Sequence, residues 1–304
     1  MAIKFAPPAL SDRPAVCEAA AYSEAAENDA SFVNLYLLRK KYGIEIAFAE
    51  KTLLRRYSDG FRAGTYGFPL GEGDLHTAVR LLHTDAAGHN LPLRFSMLTK
   101  AQCELLAASF PSCFSFTHAE NYTEYLYLRE NLAELRGTRY HGKRNHISQF
   151  WRAYPEAYIQ PLIPENAAFA LEIADQWLAG RSDPEAPSLL YERSCIAEAC
   201  ENMETLGLSG LLLYADDRPV GMTMVSEISS GIFDIHYEKV IPDYPHAWSV
   251  VANEMAKCLT NARYLNREED LGENGMRTSK QSYRPDLLNE KFIAEWHGKE
   301  SDLC

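Results

Sequence analysis

Apolar residues alternate with polar or small ones early in the chain, which predicts a meander of short strands. Ile44, Ile46 and Phe48 set this alternation, because every second side chain of a strand faces the same side of a sheet. Apolar residues three or four apart then predict helices, one behind the capping residue Asp74 and another behind Thr99. In order, the pattern predicts strands over residues 44–48, 53–57 and 64–70, a helix from residue 75, a strand over 93–98, a helix over 100–109 and a strand over 114–128.

The second half repeats this order of elements, although its residues do not repeat. Two extra helices, over residues 131–152 and 165–177, precede its meander. We therefore predict an α/β (α+β) protein of two similar units, residues 1–130 and residues 131–304, with mixed, mostly antiparallel sheets flanked by helices. The elements predicted for the second unit are strands over residues 210–214, 220–227 and 232–240, a helix over 247–260, a strand over 263–266, a helix over 275–283 and a last strand over 291–296.

Composition narrows the class of protein. A chain of 304 residues, 46% of them hydrophobic, is long enough for two domains with ordinary cores. Its net charge of −12 disfavours general nucleic-acid binding, so an RNA partner would be held by a local basic patch. Seven cysteines without metal-ligand spacing fit a reducing compartment, and no apolar run is long enough to cross a bilayer. We predict a cytoplasmic protein without stable membrane insertion.

Charge is densest in residues 266–284, directly after a predicted strand. Glu268 and Glu269 place adjacent carboxylates at the end of that strand, and Arg277, Lys280 and Arg284 then recur at the spacing of one helix face. A cationic face beside an acidic strand end suits a charged substrate. An ion-pair network that ties a late helix to a strand end is the alternative, and composition does not separate the two.

The other densely charged segment is a basic tract over residues 136–152. On a helix, Ile147 and Phe150 share an apolar side with Lys143 while Arg144 projects beside it, so one face can pack and another can contact phosphate. A solvated helix face is the alternative. We predict that this tract and residues 266–284 converge on one anionic ligand.

Five segments of the chain resemble the DUF2156 proteins, which share the C-terminal domain of lysyl-phosphatidylglycerol synthases. The order of elements in each half also resembles the core of the GCN5-related N-acetyltransferases (GNAT), and residues 143–147 are similar to the lysine and arginine helix of Fem-type peptidyltransferases. The resemblance implies two GNAT-like acyltransferase domains in tandem. The five segments are residues 31–47, 68–75, 139–150, 236–244 and 266–285.

The resemblance implies transfer of an acyl or aminoacyl group from an activated donor, such as aminoacyl-tRNA, to an amine or a hydroxyl. Such a transfer needs a group that accepts a proton and a cation or N–H pair that stabilises the oxyanion. Lys280 and Arg277 are candidates for the cation, and Glu238, Glu268 and Glu269 are candidates for the base. The predicted substrate-binding residues are Arg139, Tyr140, Lys143, Arg144, Asn145, His236, Asn266, Arg267, Tyr283 and Arg284.

Two further functions stay open at this point. An acyl-CoA-dependent N-acyltransferase would need an unusual phosphate loop, because residues 241–246 contain two prolines, which donate no N–H, and the anionic Asp243. A binding module without catalysis is the other function.

We expect no metal, since the adjacent carboxylates after the predicted strand face opposite ways and rarely chelate one ion. We expect no cofactor unless acyl-CoA is the donor. The expected acceptor is a small molecule or a lipid headgroup, aminoacyl-tRNA is the candidate macromolecular partner, and the sequence leaves the oligomeric state open.

Overall fold

The structure, a computed structural model, describes residues 3–303 and contains two seven-stranded sheets with helices on their faces. The α-helices are α1 (Arg13–Tyr22), α2 (Phe32–Leu37), α3 (Arg39–Tyr42), α4 (Leu75–Gly88), α5 (Lys100–Ser109), α6 (Arg129–Glu134), α7 (His141–Ala153), α8 (Ala167–Ala179), α9 (Pro187–Glu201), α10 (Met203–Leu206), α11 (Ala247–Cys258) and α12 (Asn274–Ser282). The strands are β1 (Ile44–Ala49), β2 (Thr52–Tyr57), β3 (Thr65–Tyr66), β4 (Leu70–Gly71), β5 (Arg94–Thr99), β6 (Phe114–His118), β7 (Glu124–Leu128), β8 (Tyr158–Pro161), β9 (Ser209–Ala215), β10 (Arg218–Ser229), β11 (Ile232–Val240), β12 (Tyr264–Asn266), β13 (Leu287–Asn289) and β14 (Lys291–Trp296).

The first sheet is built mainly from the first half of the chain. It runs β1-β2-β3-β5-β14-β6, with β4 paired to β2 beside this path. β3 and β5 are parallel, and the other neighbours are antiparallel. The two predicted capping residues each cap a helix that packs on this sheet. Thr77 N donates to Asp74 Oδ2 at 2.7 Å at the start of α4, and Thr99 and Gln102 form a reciprocal capping box at the start of α5.

The second sheet runs β13-β7-β12-β11-β10-β9-β8. β11 and β12 are parallel, and the other neighbours are antiparallel. A turn of two residues joins β9 to β10, and Asp216 and Asp217 take the positive φ values of 51° and 58° that a tight hairpin needs. The predicted fold class, mixed and mostly antiparallel sheets flanked by helices, is confirmed.

Two strands exchange places between the sheets, and here the predicted strand assignment is wrong. The stretch over residues 114–128 is not one strand, because the turn at Glu120–Tyr122 divides it into β6, in the first sheet, and β7, which pairs with β12 and β13 of the second sheet. The last strand, predicted for the second unit, is β14, and it lies between β5 and β6 of the first sheet. Strand pairing depends on contacts between distant segments, which a local pattern does not encode. A boundary after residue 130 stays a prediction, but paired strands cross it in both directions.

A buried ion pair joins the two exchanged strands. Lys291 Nζ of β14 lies 2.7 Å from Glu124 Oε1 of β7, and the two side chains are 2% and 0% exposed. Asn266 of β12 and Asn289 of β13 each donate to Glu124 Oε2 at 2.9 Å. Burial raises the pKa of Glu124 to about 7, although Lys291 opposes the shift. The carboxyl group is therefore held by three strands from both sheets, as a buried charge requires.

Lys291→Met removes the cation and leaves Glu124 buried without its partner, so we expect the free energy of unfolding at neutral pH to fall by about 3 kcal/mol. Lys257→Met is the matched control, because the Lys257 side chain is 48% exposed in its pair with Glu254, and it should change that free energy by less than about 1 kcal/mol. Urea unfolding followed by circular dichroism measures both. Equal effects for the two variants would show that the buried pair does not hold the sheets together.

Candidate functional site

A β-bulge in β11 lies at the centre of a polar cluster. The pairing of β10 with β11 slips by one residue at Met224 and Val225, which leaves His236 as the extra residue on β11. A bulge interrupts the alternation of side chains along a strand and changes the direction of the bulged residue. His236 and Asp234 both reach the same amide side chain, that of Asn34 in α2.

Asn34 connects three side chains of the second half. Its Nδ2 donates to Asp234 Oδ2 and to Glu268 Oε1, both at 2.9 Å, and its Oδ1 lies 3.1 Å from His236 Nδ1. The other ring nitrogen of His236 lies 2.8 Å from Ser226 Oγ. Because Asn34 belongs to the first half, both halves of the chain form this cluster.

Burial determines the charges of the cluster. It raises the pKa of Glu268 to about 8, with help from Glu269, and it raises the pKa of Asp234 well above its ordinary value, with help from Glu268. It also lowers the pKa of His236 to about 3. His236 is therefore neutral, and the two carboxyl groups keep their protons at pH values where an exposed acid is ionised. A carboxyl group with a pKa near neutrality can accept and release a proton, as acid–base catalysis requires.

Lys280 reaches the cluster from α12. Its Nζ donates to the backbone carbonyls of Arg267 and Glu269, and burial lowers its pKa although Glu268 and Glu269 oppose the shift. The side chain of Glu269 accepts from Asn28 Nδ2 at 2.9 Å. Three of the predicted catalytic residues, Lys280, Glu268 and Glu269, therefore lie together.

A second group of predicted residues surrounds Arg267. Its Nη2 donates to both carboxylate oxygens of Glu238, at 2.9 and 3.0 Å, and its guanidinium lies 4.9 Å from the centre of the Tyr283 ring. Lys143 Nζ of α7 lies 3.6 Å from the same ring centre. Burial, together with Arg267, lowers the pKa of Lys143 to about 8. The basic tract and residues 266–284 thus meet at Lys143.

The other residues of these predicted binding segments lie elsewhere. Arg144 donates to two backbone carbonyls of the turn before α7, and Arg139 lies 4.8 Å from the ring centre of the buried Tyr140. Asn145 and Arg284 are exposed. Within residues 3–303, the hydrogen bonds and ring contacts of these residues do not include the cluster around Asn34.

Arg277, the other predicted cation, is held in an ion pair. Its Nε and Nη2 donate to the Asp270 carboxylate at 2.8 and 3.1 Å, and Tyr125 Oη donates to the same carboxylate at 2.6 Å. Burial favours the neutral acid, but these hydrogen bonds and the Gly272 N–H hold the pKa of Asp270 at about 2. At this position the structure matches the ion-pair alternative, and a catalytic role for Arg277 stays a prediction.

Sequence reasoning missed three residues of the site. Asn34 lies in an apolar segment, where a lone polar residue suggests a solvent-facing position, and Glu124 falls within a stretch predicted as a single strand. Asp234 carries a usable signal, because it precedes His236 by two positions on a predicted strand and so shares its face. Asn266, predicted to bind substrate, donates to Glu124 and supports the buried ion pair.

Asp234, His236 and Glu268 also form a group of metal-ligand type, with one atom from each lying within 4.8 Å of the others. Two carboxylates and an imidazole suit a divalent ion. The Asn34 amide contacts all three side chains. The absence of a metal is expected because the adjacent carboxylates after β12 face opposite ways. It stays a prediction, because this group contains only one of those carboxylates, that of Glu268.

α11 begins beside a pair of histidines. His246 precedes the helix with φ 69°, and its ring stacks on that of His146 in α7 with the ring centres 4.6 Å apart. Pro242 and Pro245 in the preceding turn have no N–H. The turn before this helix therefore lacks two backbone donors that a pyrophosphate would otherwise contact.

A cavity with a volume of ≈ 50 Å³ adjoins the cluster and is lined mainly by residues of the first half. Asn34 and Glu269 are part of its wall. The cavity therefore reaches both the bridging amide and the acidic end of β12.

Comparison with known proteins identifies a family and a fold. The sequence matches the family described as Phosphatidylglycerol lysyltransferase, C-terminal, over residues 20–295. No curated protein matches it. The structure is similar to that of a conserved protein of unknown function from Bacteroides thetaiotaomicron, with a TM-score of 0.92, 30% sequence identity, and coverage of 97% of this chain and 100% of that chain.

Two further structures share the fold at low sequence identity. One is the C-terminal domain (DUF2156) of a candidate lysylphosphatidylglycerol synthetase from Agrobacterium fabrum, with a TM-score of 0.64, 13% identity and coverage of 97% of this chain and 94% of that chain. The other is L-PGS from Bacillus licheniformis, with a TM-score of 0.58, 12% identity and coverage of 90% and 93%. Both structures share the fold of this chain, in agreement with the predicted class of mixed, mostly antiparallel sheets flanked by helices. From residue 3 to residue 303, none of the helices combines the length and the apolar character needed to span a bilayer.

The raised pKa of Glu268 predicts a dependence of stability on pH. Its ordinary value is 4.5 and its value in the folded protein is about 8, so between these pH values the unfolded chain loses a proton that the folded protein keeps. The free energy of unfolding should therefore fall as pH rises through this window, by up to roughly 1 kcal/mol per pH unit. Glu268→Gln, which cannot ionise, should reduce this dependence of stability on pH. Part of the dependence should remain, because the pKa of Asp234 is also raised in the folded protein.

Urea unfolding at a series of pH values measures this slope. Glu273→Gln is the control, because Glu273 is an exposed residue of the same segment and its substitution should leave the slope unchanged. A slope that is identical in the wild type and in Glu268→Gln would mean that Glu268 titrates like an ordinary acid.

Proposed function

The chain belongs to the family Phosphatidylglycerol lysyltransferase, C-terminal, as its resemblance to the DUF2156 proteins predicts, and from this premise we propose that it transfers an acyl or aminoacyl group from an activated donor to an amine or hydroxyl acceptor. Family and fold support an acyltransferase. The donor that we propose is an aminoacyl ester, of the kind that aminoacyl-tRNA carries.

One observation carries this proposal: the carboxyl groups of Asp234, which is fully buried, and of Glu268, which is half-buried, share the Asn34 amide beside a cavity. Two acidic groups this close together, shielded from water enough to raise both pKa values, are costly in a purely structural role. A raised pKa in a cleft, with a named desolvating cause, is typical of a catalytic acid or base. A solvated ion-pair network would need neither the burial nor the cavity.

The reaction requires one proton transfer, which Glu268 can perform. The acceptor nitrogen or oxygen attacks the carbonyl carbon of the donor ester, so that a C–N or C–O bond forms. The bond from that carbon to the leaving oxygen breaks, and the proton lost by the acceptor passes through the Glu268 carboxylate to the leaving oxygen. A pKa of about 8 suits both halves of this transfer near neutral pH.

Lys280 is the cation that we assign to the developing oxyanion. Its ammonium group has three N–H donors, and two of them are used on the carbonyls of Arg267 and Glu269. The third makes no hydrogen bond within residues 3–303, and we assign it to the negative charge on the reacting carbonyl oxygen. Because those two carbonyls belong to the segment of Glu268, they fix the ammonium next to the carboxyl group.

Lys143 and Arg267 are the residues that we assign to an anionic part of the donor. Both cations lie against the ring of Tyr283, and Glu238 pairs with Arg267. The weak pyrophosphate site at the start of α11, with its two prolines and stacked histidines, favours an aminoacyl ester over acyl-CoA.

The test is a transfer assay with the purified full chain. We expect labelled aminoacyl groups to move from aminoacyl-tRNA to a panel of acceptors that includes small amines, amino acids and phosphatidylglycerol vesicles. Glu268→Gln should slow this transfer about 100-fold, and Lys280→Met should slow it by a similar factor.

Glu273→Gln is again the matched control and should transfer at the wild-type rate. Acyl-CoA esters replace aminoacyl-tRNA in a parallel set of reactions. Transfer from acyl-CoA alone would support the CoA-dependent alternative, and full activity in Glu268→Gln would remove the carboxyl group from the mechanism.

A further inference from the structure

The cavity beside the cluster contains buried donors that make no hydrogen bond to any residue that the structure describes. Arg62 is 4% exposed, its Nε donates to Ser96 Oγ and its Nη1 to Asp29 Oδ1, while its Nη2 is buried without a hydrogen bond. Tyr57 is 1% exposed, its ring centre lies 3.5 Å from the Arg62 guanidinium, and within residues 3–303 its hydroxyl makes no hydrogen bond. Both residues line the cavity. A buried guanidinium N–H and a phenol without acceptors are costly, and together they match the oxygens of a carboxylate.

The opposite charge is present in the same cavity. Among the ionisable residues of its wall, Asp29 pairs with Arg62 and Glu124 pairs with Lys291. Glu269 has no ion pair within the described part of the chain, and the only hydrogen bond of its carboxylate is the one from Asn28. This carboxylate is therefore available to an ammonium group.

Aromatic rings stand at the entrance. Phe61 is 51% exposed, and its ring stacks on that of Tyr122 with centres 4.6 Å apart. Tyr42 meets Phe61 edge-on at 5.5 Å. All three residues line the cavity, so a cation entering it passes the faces and edges of aromatic rings, which attract ammonium groups.

The backbone at the cavity is strained as well. Met97 lines it and takes φ 59°, a backbone conformation that residues other than glycine rarely adopt. It lies where the pairing of β5 with β14 shifts register.

The size of the cavity limits the ligand. Its volume of ≈ 50 Å³ holds roughly four water molecules. A molecule with that many non-hydrogen atoms or slightly more, such as a small amino acid, fits.

We propose that this cavity binds the acceptor, and that the acceptor is a small molecule carrying both an ammonium group and a carboxylate, as a free amino acid does. Arg62 Nη2 and the Tyr57 hydroxyl hold its carboxylate, and Glu269 holds its amine. The inference builds on the proposed transfer reaction, because it names the acceptor. Since Glu269 adjoins Glu268 in the chain and Asn34 lines the cavity, the amine bound there lies beside the proton acceptor.

The test is direct binding without any donor, measured by isothermal titration calorimetry on the full chain. The probes are glycine, L-alanine and L-lysine, with propionate lacking the amine and ethylamine lacking the carboxylate. We expect at least one amino acid to bind tenfold or more tightly than propionate or ethylamine. Tyr57→Phe should weaken that binding about tenfold, which is the loss of one hydrogen bond to a charged group.

Thr223→Val is the matched control, because Thr223 also has a buried hydroxyl that makes no hydrogen bond within residues 3–303 but does not line the cavity. It should leave binding unchanged. Neither variant removes a hydrogen bond of the folded protein, so both should melt at the wild-type temperature or above it. Glu269→Gln should weaken the binding of the amino acid and leave the binding of propionate unchanged.

The binding and transfer experiments distinguish the proposed amino-acid site from the proposed reaction. If amino acids bind with this pattern and receive no acyl group, the result supports the amino-acid site and contradicts the proposed reaction. If no amino acid binds, if Tyr57→Phe and Thr223→Val change amino-acid binding equally, or if transfer goes only to acceptors without a carboxylate, the inference is overturned.

Discussion

The ion pair between Lys291 and Glu124 is the interaction on which the rest of the structure depends. Each half of the chain gives one strand to the other half's sheet, and these two residues begin those two strands. The exchange makes each sheet incomplete without the other half. It also fixes the position of β7 against β12, whose last residue, Asn266, both donates to Glu124 and accepts from the Glu268 N–H. The orientation of the Glu268 backbone is thus linked directly to the pair that joins the sheets.

The price of this arrangement is an excess of buried acid at the junction. Burial raises the pKa of Glu124, Asp234 and Glu268 alike, so the folded protein holds protons that the unfolded chain would release at neutral pH. Amides offset part of the cost, because Asn34 and Asn266 donate without adding charge. A core built for stability alone would place apolar side chains here. The acid is therefore better explained by chemistry than by packing.

Much of the fold could be predicted from the sequence because it is local. Alternation, caps and turn residues identify the meanders, and Asp74 and Thr99 cap their helices as expected. The exchange of β7 and β14 could not be predicted, since an apolar strand pattern is the same whichever sheet receives it. In the site, Glu268, Glu269 and Lys280 are found from their charge density. Asn34 is not, because its role comes from contacts with Asp234, His236 and Glu268, which lie at least 200 positions away along the chain.

The two alternatives for the late charged segment are both realised, at different residues. Asp270 and Arg277 form the ion-pair network. Burial would favour the neutral acid, but the hydrogen bonds from Arg277 and Tyr125 keep the pKa of Asp270 low. A carboxylate with these partners neither takes up a proton near neutral pH nor binds a further cation. One and two positions earlier, Glu269 and Glu268 have no ion pair within the described part of the chain. Glu268 contacts the Asn34 amide, and Glu269 lines the cavity. The network anchors the end of β12 so that its unpaired acids are held in place. A rigid segment with satisfied charge at one end and unsatisfied charge at the other is how a fixed scaffold presents reactive groups to a ligand.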